Sequence, residues 1–190
     1  AMYNFSKVID PKVIEIIVGG NYRKYALNSN GTLFLKKSDG SEFSINEFGG
    51  YTQVSKNFND VFKLTGSVRY DKNENFAGQW SPRISAVYTA NRNHNIRASY
   101  QTGFRIPTNQ NQYINLNTPV SLLIGGLPAL WNNYKLRDGA GSINIATGQA
   151  WSFPEFKPER ALSFEVGYKG MIAKKLLVDV YYYNTTMKNY

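Results

Sequence analysis

In FKLTGSVRYD, residues 62–71, every apolar or small residue is followed by a polar one. Successive side chains of a β-strand point to opposite faces, so this period of two predicts a strand with one apolar face and one polar face. A similar alternation returns in four further stretches, at residues 83–88, 96–101, 162–169 and 176–183. The chain is therefore expected to fold mainly into strands whose two faces meet different surroundings.

The connections between the predicted strands alternate in length. Tight connections are predicted at 57–60, 91–95 and 170–174, and long ones at 29–41, 72–80 and about 105–157. Barrels of bacterial outer membranes have short turns on one side and long loops on the other, and a tilted strand of about eleven residues rises roughly 25 Å, the height of their apolar band. The sequence therefore predicts an all-β chain, an antiparallel up-and-down transmembrane β-barrel segment of about seven strands.

Seven strands do not close a barrel by themselves, because single-chain bacterial barrels have an even number of at least eight. The first predicted strand runs from about Val13 to Asn28 with poor alternation, and the residues before Val13 are expected to supply at most the tail of another strand. Residues 1–190 are therefore predicted to be one partial barrel domain of a larger protein, with a long extracellular loop at about 105–157.

Aromatic residues make up 15% of the 190 residues, with 14 Tyr, 11 Phe and 3 Trp. Tyrosine and tryptophan favour the two interfaces of a membrane, where they form girdles around the apolar band of a barrel. No stretch reaches the roughly 18 consecutive apolar residues that a transmembrane helix needs, since 120–131 is short and interrupted by glycine and proline. The composition therefore favours a membrane barrel and excludes a helical membrane protein.

The formal net charge is +9, and the chain has no cysteine. Disulfides and thiolate metal sites are therefore excluded. Because lysine and arginine are spread along the chain without a dense basic run, a nucleic-acid partner is not predicted. The positive charge instead suits the anionic head groups of lipids.

Several motifs resemble a known family when they are taken in order. SPRISAVY (81–88), RASYQTGFRIP (97–107), KPE (157–159) and EVGYKG (165–170) closely resemble the C-terminal half of the barrel of TonB-dependent outer-membrane receptors. GGNYRKY (19–25) and GSVRYDKNENF (66–76) resemble the members common in Bacteroidetes-type bacteria. The order and spacing of these motifs carry the resemblance across nearly the whole chain.

This resemblance implies a place in a 22-stranded barrel of the Gram-negative outer membrane, plugged by an N-terminal domain. The implied function is TonB-coupled uptake of a scarce solute such as a ferric siderophore, cobalamin or a glycan. The implied partners are outer-membrane lipid, the TonB complex through an N-terminal part, and the imported solute or a surface lipoprotein at the extracellular loops. The chain departs from the family pattern because it has no room for the plug and no recognisable TonB-contacting box.

Charged residues on the polar faces of the strands are predicted to line the lumen, because an Arg or Lys at mid-depth in lipid costs about 2–4 kcal/mol. These lumen-facing residues are Arg69, Arg83, Arg97 and Glu165. The alternating apolar positions are predicted to face lipid. They are Leu64, Val68, Ile84, Ala86, Ile96, Ala98, Phe164, Val166, Val178 and Val180.

The long loop is the predicted ligand-binding site. Its aromatic residues stand among Asn, Gln and Gly, a mixture of flat faces and amide groups that suits sugars or organic chelates. The predicted contacts are Tyr113, Trp131, Tyr134, Trp151 and Phe153. The alternative is that these rings only pack the loop onto itself or its neighbours.

No motif for catalysis, a metal or a cofactor is found, so the chain is not expected to be an enzyme. His94 is the only histidine and lies in a predicted turn, and no Gly-x-Ser-x-Gly elbow supplies a nucleophile. Residues 71–82 begin like a calcium loop but have Phe76 in place of glycine and Pro82 in place of glutamate. Two alternatives remain: a small outer-membrane adhesin or anchor barrel, which needs an eighth strand, and a soluble β-sandwich carbohydrate-binding module.

Overall fold

The computed structural model describes residues 2–9, 14–34, 42–58, 61–91, 93–134, 143–151 and 155–189. Their strands are β1 (Met2–Ile9), β2 (Glu15–Leu27), β3 (Phe43–Phe58), β4 (Phe62–Asn73), β5 (Gln79–Asn91), β6 (His94–Arg105), β7 (Asn115–Asn117), β8 (Leu122–Ile124), β9 (Glu159–Ile172) and β10 (Leu176–Lys188). Two short helices are α1 (Asn109–Tyr113) and α2 (Pro128–Asn133). Neither of these helices is long and apolar enough to cross a membrane.

The chain forms two compact units. The sheet unit comprises Ala1–Lys24, Asn46–Arg105 and Glu159–Tyr190, and the loop unit comprises Tyr25–Ile45 and Ile106–Pro158. The large sheet has eight strands in the order β1-β2-β3-β4-β5-β6-β9-β10. Neighbours in sequence are thus neighbours in the sheet, apart from the step between β6 and β9, which confirms the predicted all-β, up-and-down antiparallel arrangement.

The sheet contains one strand more than the sequence predicts. β1 pairs with β2 along its whole length, from Met2 opposite Arg23 to Ile9 opposite Ile16, so the predicted count of seven strands is wrong. MYNFSKVI has no clean alternation, and its strand depends on backbone hydrogen bonds to a partner strand, which a local pattern does not reveal. In the described sheet β1 and β10 are the two edge strands.

The connection between β4 and β5 is shorter than the predicted loop at 72–80. Tyr70 pairs with Trp80 and Asp71 with Gln79, which leaves only residues 74–78 between the strands. Glu74 closes this end of the sheet, since its Oε2 accepts hydrogen bonds from the backbone N (2.9 Å) and the side-chain Nδ2 (3.0 Å) of Asn46.

The register gives the sheet one apolar face and one polar face. Leu64, Ala86, Ala98 and Val166 stand opposite one another across β4, β5, β6 and β9. All ten positions that the sequence assigns to lipid fall on this apolar face. Arg69, Arg83, Arg97 and Glu165 fall on the opposite, polar face.

Aromatic rings stand at both ends of the apolar face. At the end with the tight turns, called the turn end, the Phe58 and Phe62 rings lie 5.9 Å apart. At the other end, called the outer end, Tyr70 lies 4.8 Å from Trp80, which is 65% exposed. Eight residue steps along β4 between these two levels correspond to roughly 27 Å of strand, or about 20 Å after a tilt of about 40°. The spacing agrees with two aromatic girdles around an apolar band.

We expect arginine to be tolerated on the polar face and not on the apolar face. Ala98→Arg should lower the free energy of unfolding in lipid vesicles by about 2–4 kcal/mol, because the guanidinium would lie in hydrocarbon. The matched control is Ser99→Arg, one residue away and opposite Glu165. Urea titration of the vesicle-inserted protein measures both, and a larger loss for Ser99→Arg would contradict the assignment of the faces.

Candidate functional site

The first charged cluster of the polar face is centred on Arg69. Its Nε donates to Asp71 Oδ2 at 2.6 Å and its Nη2 donates to Asn21 Oδ1 at 2.6 Å. A Cβ on Gly49, which pairs with Asp71, would lie within 3 Å of all three side chains. Glycine at this position therefore leaves the room that the ion pair and its asparagine occupy.

The second charged cluster joins three strands through Arg97. Its Nε lies 3.2 Å from Glu165 Oε1, and its Nη2 lies 4.0 Å from Asp179, which is also paired with Lys169 at 3.4 Å. Gly167 lies opposite Arg97 in the register, and a Cβ there would stand 2.7 Å from Arg97 Nε. The two carboxylates neutralise the charges of Arg97 and Lys169, so the charges of this cluster are paired.

The other predicted lumen residue, Arg83, has a different setting. It stands opposite Ser67 on β4 and Gln101 on β6, and no ion pair joins it to a carboxylate of the described residues. The alternation in the sequence assigned Arg69, Arg83, Arg97 and Glu165 to the polar face. It did not reveal that Asn21 contacts Arg69 or that Asp179 contacts Arg97. Only the pairing of distant strands brings those partners near, so no local signal identifies them.

His94 lies at the start of β6 instead of in the predicted turn. Its Nδ1 is 2.6 Å from the Tyr168 hydroxyl, and the two rings are stacked with centroids 6.0 Å apart. The pair stands at the turn end of the sheet, where His94 pairs with Gly170. The contact gives this histidine a structural role between β6 and β9.

The loop unit has regular structure of its own. Asn115–Asn117 pairs with Leu122–Ile124 as a two-stranded sheet, and Phe34 forms a bridge with Ile114. Thr108 caps α1 by accepting a hydrogen bond from Asn111 N at 3.1 Å, and Pro128 occupies the first turn of α2, where a missing N–H costs nothing. The sequence at 105–157 has no sustained period because these elements are only three to six residues long.

The core of the loop unit is built around Trp131. This residue is 7% exposed, and its Nε1 donates to the Gly125 carbonyl at 2.7 Å. Leu130 and Ile45 are also buried, and the Tyr113 ring packs 4.9 Å from Phe43. These contacts hold α2 and the segment before it in one arrangement.

Two of the five predicted ligand residues are thus buried in the loop unit. Tyr113 is 8% exposed and Trp131 is 7% exposed, so their rings pack the loop as the alternative interpretation expected. Tyr134 and Trp151 are 39% and 42% exposed, and Asn115 Nδ2 donates to the Tyr134 hydroxyl at 2.9 Å. Phe153 lies outside the described residues. The prediction of ligand contact therefore depends on Tyr134 and Trp151.

The family to which the chain belongs is established by a family model. The model, described as TonB dependent receptor-like, beta-barrel, matches residues 4–190. The chain therefore belongs to the TonB-dependent receptor-like β-barrel family. It is a segment of a Gram-negative outer-membrane barrel, as the sequence resemblance predicted.

Individual proteins agree with this family. The chain is 24% identical over 176 residues to the vitamin B12 transporter BtuB of Vibrio vulnificus (strain CMCP6), an alignment that covers 93% of this chain and 22% of that protein. The siderophore receptor PirA of Pseudomonas aeruginosa superposes with a TM-score of 0.67 at 16% identity, covering 100% of this chain and 32% of that one. A mutant of the ferric enterobactin receptor PfeA of the same species has a TM-score of 0.65 at 16% identity, covering 100% and 26%.

These comparisons also limit what the chain represents. It spans less than a third of each of the three proteins. The eight-stranded sheet therefore corresponds to part of a larger barrel, which disfavours a complete small adhesin barrel and a soluble sandwich. The narrower resemblance to Bacteroidetes-type members stays a prediction.

We expect Trp131 to be a structural residue of the loop unit and Trp151 to be dispensable for its folding. Trp131→Ala should destabilise the unit by about 3–5 kcal/mol, because it removes a buried ring and leaves the Gly125 carbonyl without its donor. Trp151→Ala, the same change at an exposed site, should stay within about 0.5 kcal/mol. Amide hydrogen exchange across 109–134 measures the difference, and equal protection in both variants would contradict it.

Proposed function

We propose that this chain is part of the barrel of a receptor that imports a scarce solute across the outer membrane with energy from the TonB complex. The observation that carries the proposal is the match of the family model over residues 4–190. The two-faced sheet, with paired charges on one face and apolar residues on the other, supports the same function. Contact with TonB is proposed for a part of the protein outside these 190 residues, and no catalytic role is assigned to them.

The proposed solute is a metal chelate. The relative aligned over 93% of this chain is named for vitamin B12, and the structural neighbours are named for siderophores. Both are bulky organic molecules that enclose a metal and present ring faces and amide or hydroxyl groups. Ferric siderophores and cobalamin are therefore the first solutes to test, with glycans and a surface lipoprotein partner after them.

The loop unit is the proposed extracellular capture site. Tyr134 and Trp151 have partly exposed rings, and amide side chains are frequent around them. A Trp or Tyr face can bury a large area against a chelate, while the amide groups donate and accept hydrogen bonds. Because the Trp131 core already orders α2 before a ligand arrives, less conformational entropy is lost when the solute binds.

The polar face is the proposed wall of the lumen. Arg97, Glu165 and Asp179 form a connected group, and Arg69 is held by Asp71. Charges that are already paired hold a passing chelate only weakly, which suits a wall along which solute and water must move. Arg83 has no such carboxylate among the described residues and is the proposed contact for an acidic solute or plug residue.

We expect the capture site to be testable by removing its exposed rings in the full-length receptor. The double variant Tyr134→Ala, Trp151→Ala should weaken binding of the transported chelate about 5- to 100-fold, since each ring contributes roughly 0.5–1.5 kcal/mol or more. Ile145→Ala is the matched control, because Ile145 is 96% exposed in the same unit. Isothermal titration with ferric enterobactin, a ferric hydroxamate and cobalamin identifies the solute and measures the loss.

A deletion provides a coarser test of the same site. Removing residues 117–149 should abolish solute binding while the barrel still folds and inserts, because the large sheet does not use those residues. The shift in gel mobility of unheated barrel protein reports folding. Unchanged affinity and uptake after this deletion would contradict the capture proposal. The loop unit would then be a lid or a surface segment without a role in solute binding.

A further inference from the structure

The large sheet splits at its outer end, between β5 and β6. Arg83 opposite Gln101 is the last pair of that ladder toward this end, while β5 continues to pair with β4 as far as Gln79, and β6 with β9 as far as Arg105. Pro82 is the next residue, and proline has no N–H for the ladder. The Thr102 hydroxyl donates to the Pro82 carbonyl at 3.3 Å in place of a backbone pair. The two halves of the sheet therefore diverge above Arg83.

A groove of about 590 Å³ occupies this split. Its walls are apolar along most of their length, and they carry two cations at one end. The residues that matter to the argument are Trp80, Pro82, Phe104, Leu162, Arg160 and Lys188. In the register Trp80 stands opposite Tyr70, Leu162 opposite Thr102, and Arg160 opposite Phe104, so all of them lie on the apolar face.

The two cations of the groove have no anionic partner in the described part of the chain. Arg160 and Lys188 are paired in the register of β9 and β10, so two like charges belong to neighbouring strands that line one groove. The lining of the groove contains no carboxylate, and none of the described ion pairs includes either residue. Arg105, which is next to this site in the register but on the polar face, is by contrast paired with Glu159 at 2.6 Å.

Arg160 is held in position by a neutral group. Its Nε and Nη2 donate to Gln79 Oε1 at 3.2 and 2.8 Å across 81 residues of sequence. Gln79 is 5% exposed, and its own Nε2 donates to the Ala77 carbonyl at 2.9 Å, which turns the oxygen toward Arg160. The guanidinium is therefore anchored without being neutralised.

The level of the groove in the membrane follows from the aromatic residues. Trp80 and Tyr70 belong to the ring of aromatics at the outer end, and such rings lie at the boundary between hydrocarbon and head groups. The longer connections leave the sheet at this same end, and in outer-membrane barrels they lie outside the cell. Arg160 and Lys188 thus stand at the height of the outer head groups, with the apolar part of the groove next to the acyl chains.

We propose that this groove is a binding site for a lipid of the outer leaflet that carries an anionic phosphate head group. The phosphate lies between Arg160 and Lys188, where it accepts charge-assisted hydrogen bonds and relieves their repulsion. An acyl chain lies along Trp80, Phe104 and Leu162. The proposal depends on the outer-membrane location of the chain and is independent of which solute is imported.

The experiment uses the full-length receptor, purified and exchanged into nanodiscs of phosphatidylcholine with or without phosphatidylglycerol. Native mass spectrometry after release counts the lipids that stay bound and gives the preference for the anionic lipid. The double variant Arg160→Gln, Lys188→Gln should lose this preference about 25-fold, at about fivefold per cation. Arg160→Lys should keep most of it, because the charge remains near the phosphate.

Two control variants distinguish a specific lipid-binding site from general attraction between anionic lipid and positive charge on the protein. Arg105→Gln removes a cation from the same end of the sheet but from the other face, and Lys174→Gln removes an exposed cation between β9 and β10 at the turn end. Both should leave the preference unchanged. A loss in the controls equal to that of the double variant would overturn the proposal, as would an unchanged preference in the double variant.

Further outcomes identify other occupants of the groove. Retention of phosphatidylcholine and phosphatidylglycerol in equal amounts by the original protein would overturn the proposal, because the groove would then not select a head group with net negative charge. Displacement of the anionic lipid by millimolar inorganic phosphate, or a polypeptide that fills the groove and excludes lipid, would also overturn the proposal. Solute affinity is measured on the same samples, so a failure here is distinguishable from a failure of the import function.

Discussion

A slip of one residue in the register between β6 and β9 would turn Glu165 onto the face that carries Ala98 and bring Val166 toward Arg97. The cost would be large on both faces, because a carboxylate would meet hydrocarbon while its cation would lose its partner. The antiparallel hydrogen-bond ladder therefore does more than join the strands. It directs each side chain of the sheet to one of two faces. The charged clusters of the polar face and the aromatic girdles and groove of the apolar face all depend on that register.

The polar face shows how glycine makes room for charge. Gly49 and Gly167 each leave open the volume in which an arginine side chain lies, and a methyl group at either position would collide with Arg69 or Arg97. The arginines in turn lie flat across neighbouring strands and reach carboxylates that the ladder places beside them. The polar face is therefore rich in charges that largely neutralise one another.

The apolar face carries two cations side by side at its outer end. Arg160 occupies a position whose equivalents nearer the middle of β9 are Leu162, Phe164 and Val166, and Lys188 stands opposite Arg160 on β10. They lie at the outer end, where Pro82 has opened the ladder and Gln79 supplies a neutral anchor. Cations are tolerable at that depth because head groups and water replace hydrocarbon, and for this reason the proposed occupant of the groove is a lipid with an anionic head group.

Sequence by itself determined which residues alternate, and hence the strands, the two faces, the tight turns and the membership of the barrel family. Alternation is a local property with a period of two, so FKLTGSVRYD reveals it without any partner strand. The tertiary structure alone decided what depends on contacts between distant residues. β1 became a strand through its ladder with β2, Trp131 turned inward to Gly125 while Trp151 stayed half-exposed, and Arg160 met Gln79. Neither tryptophan lies in a stretch with a sustained period, so only the packing of the chain around each ring distinguishes a core residue from an exposed one.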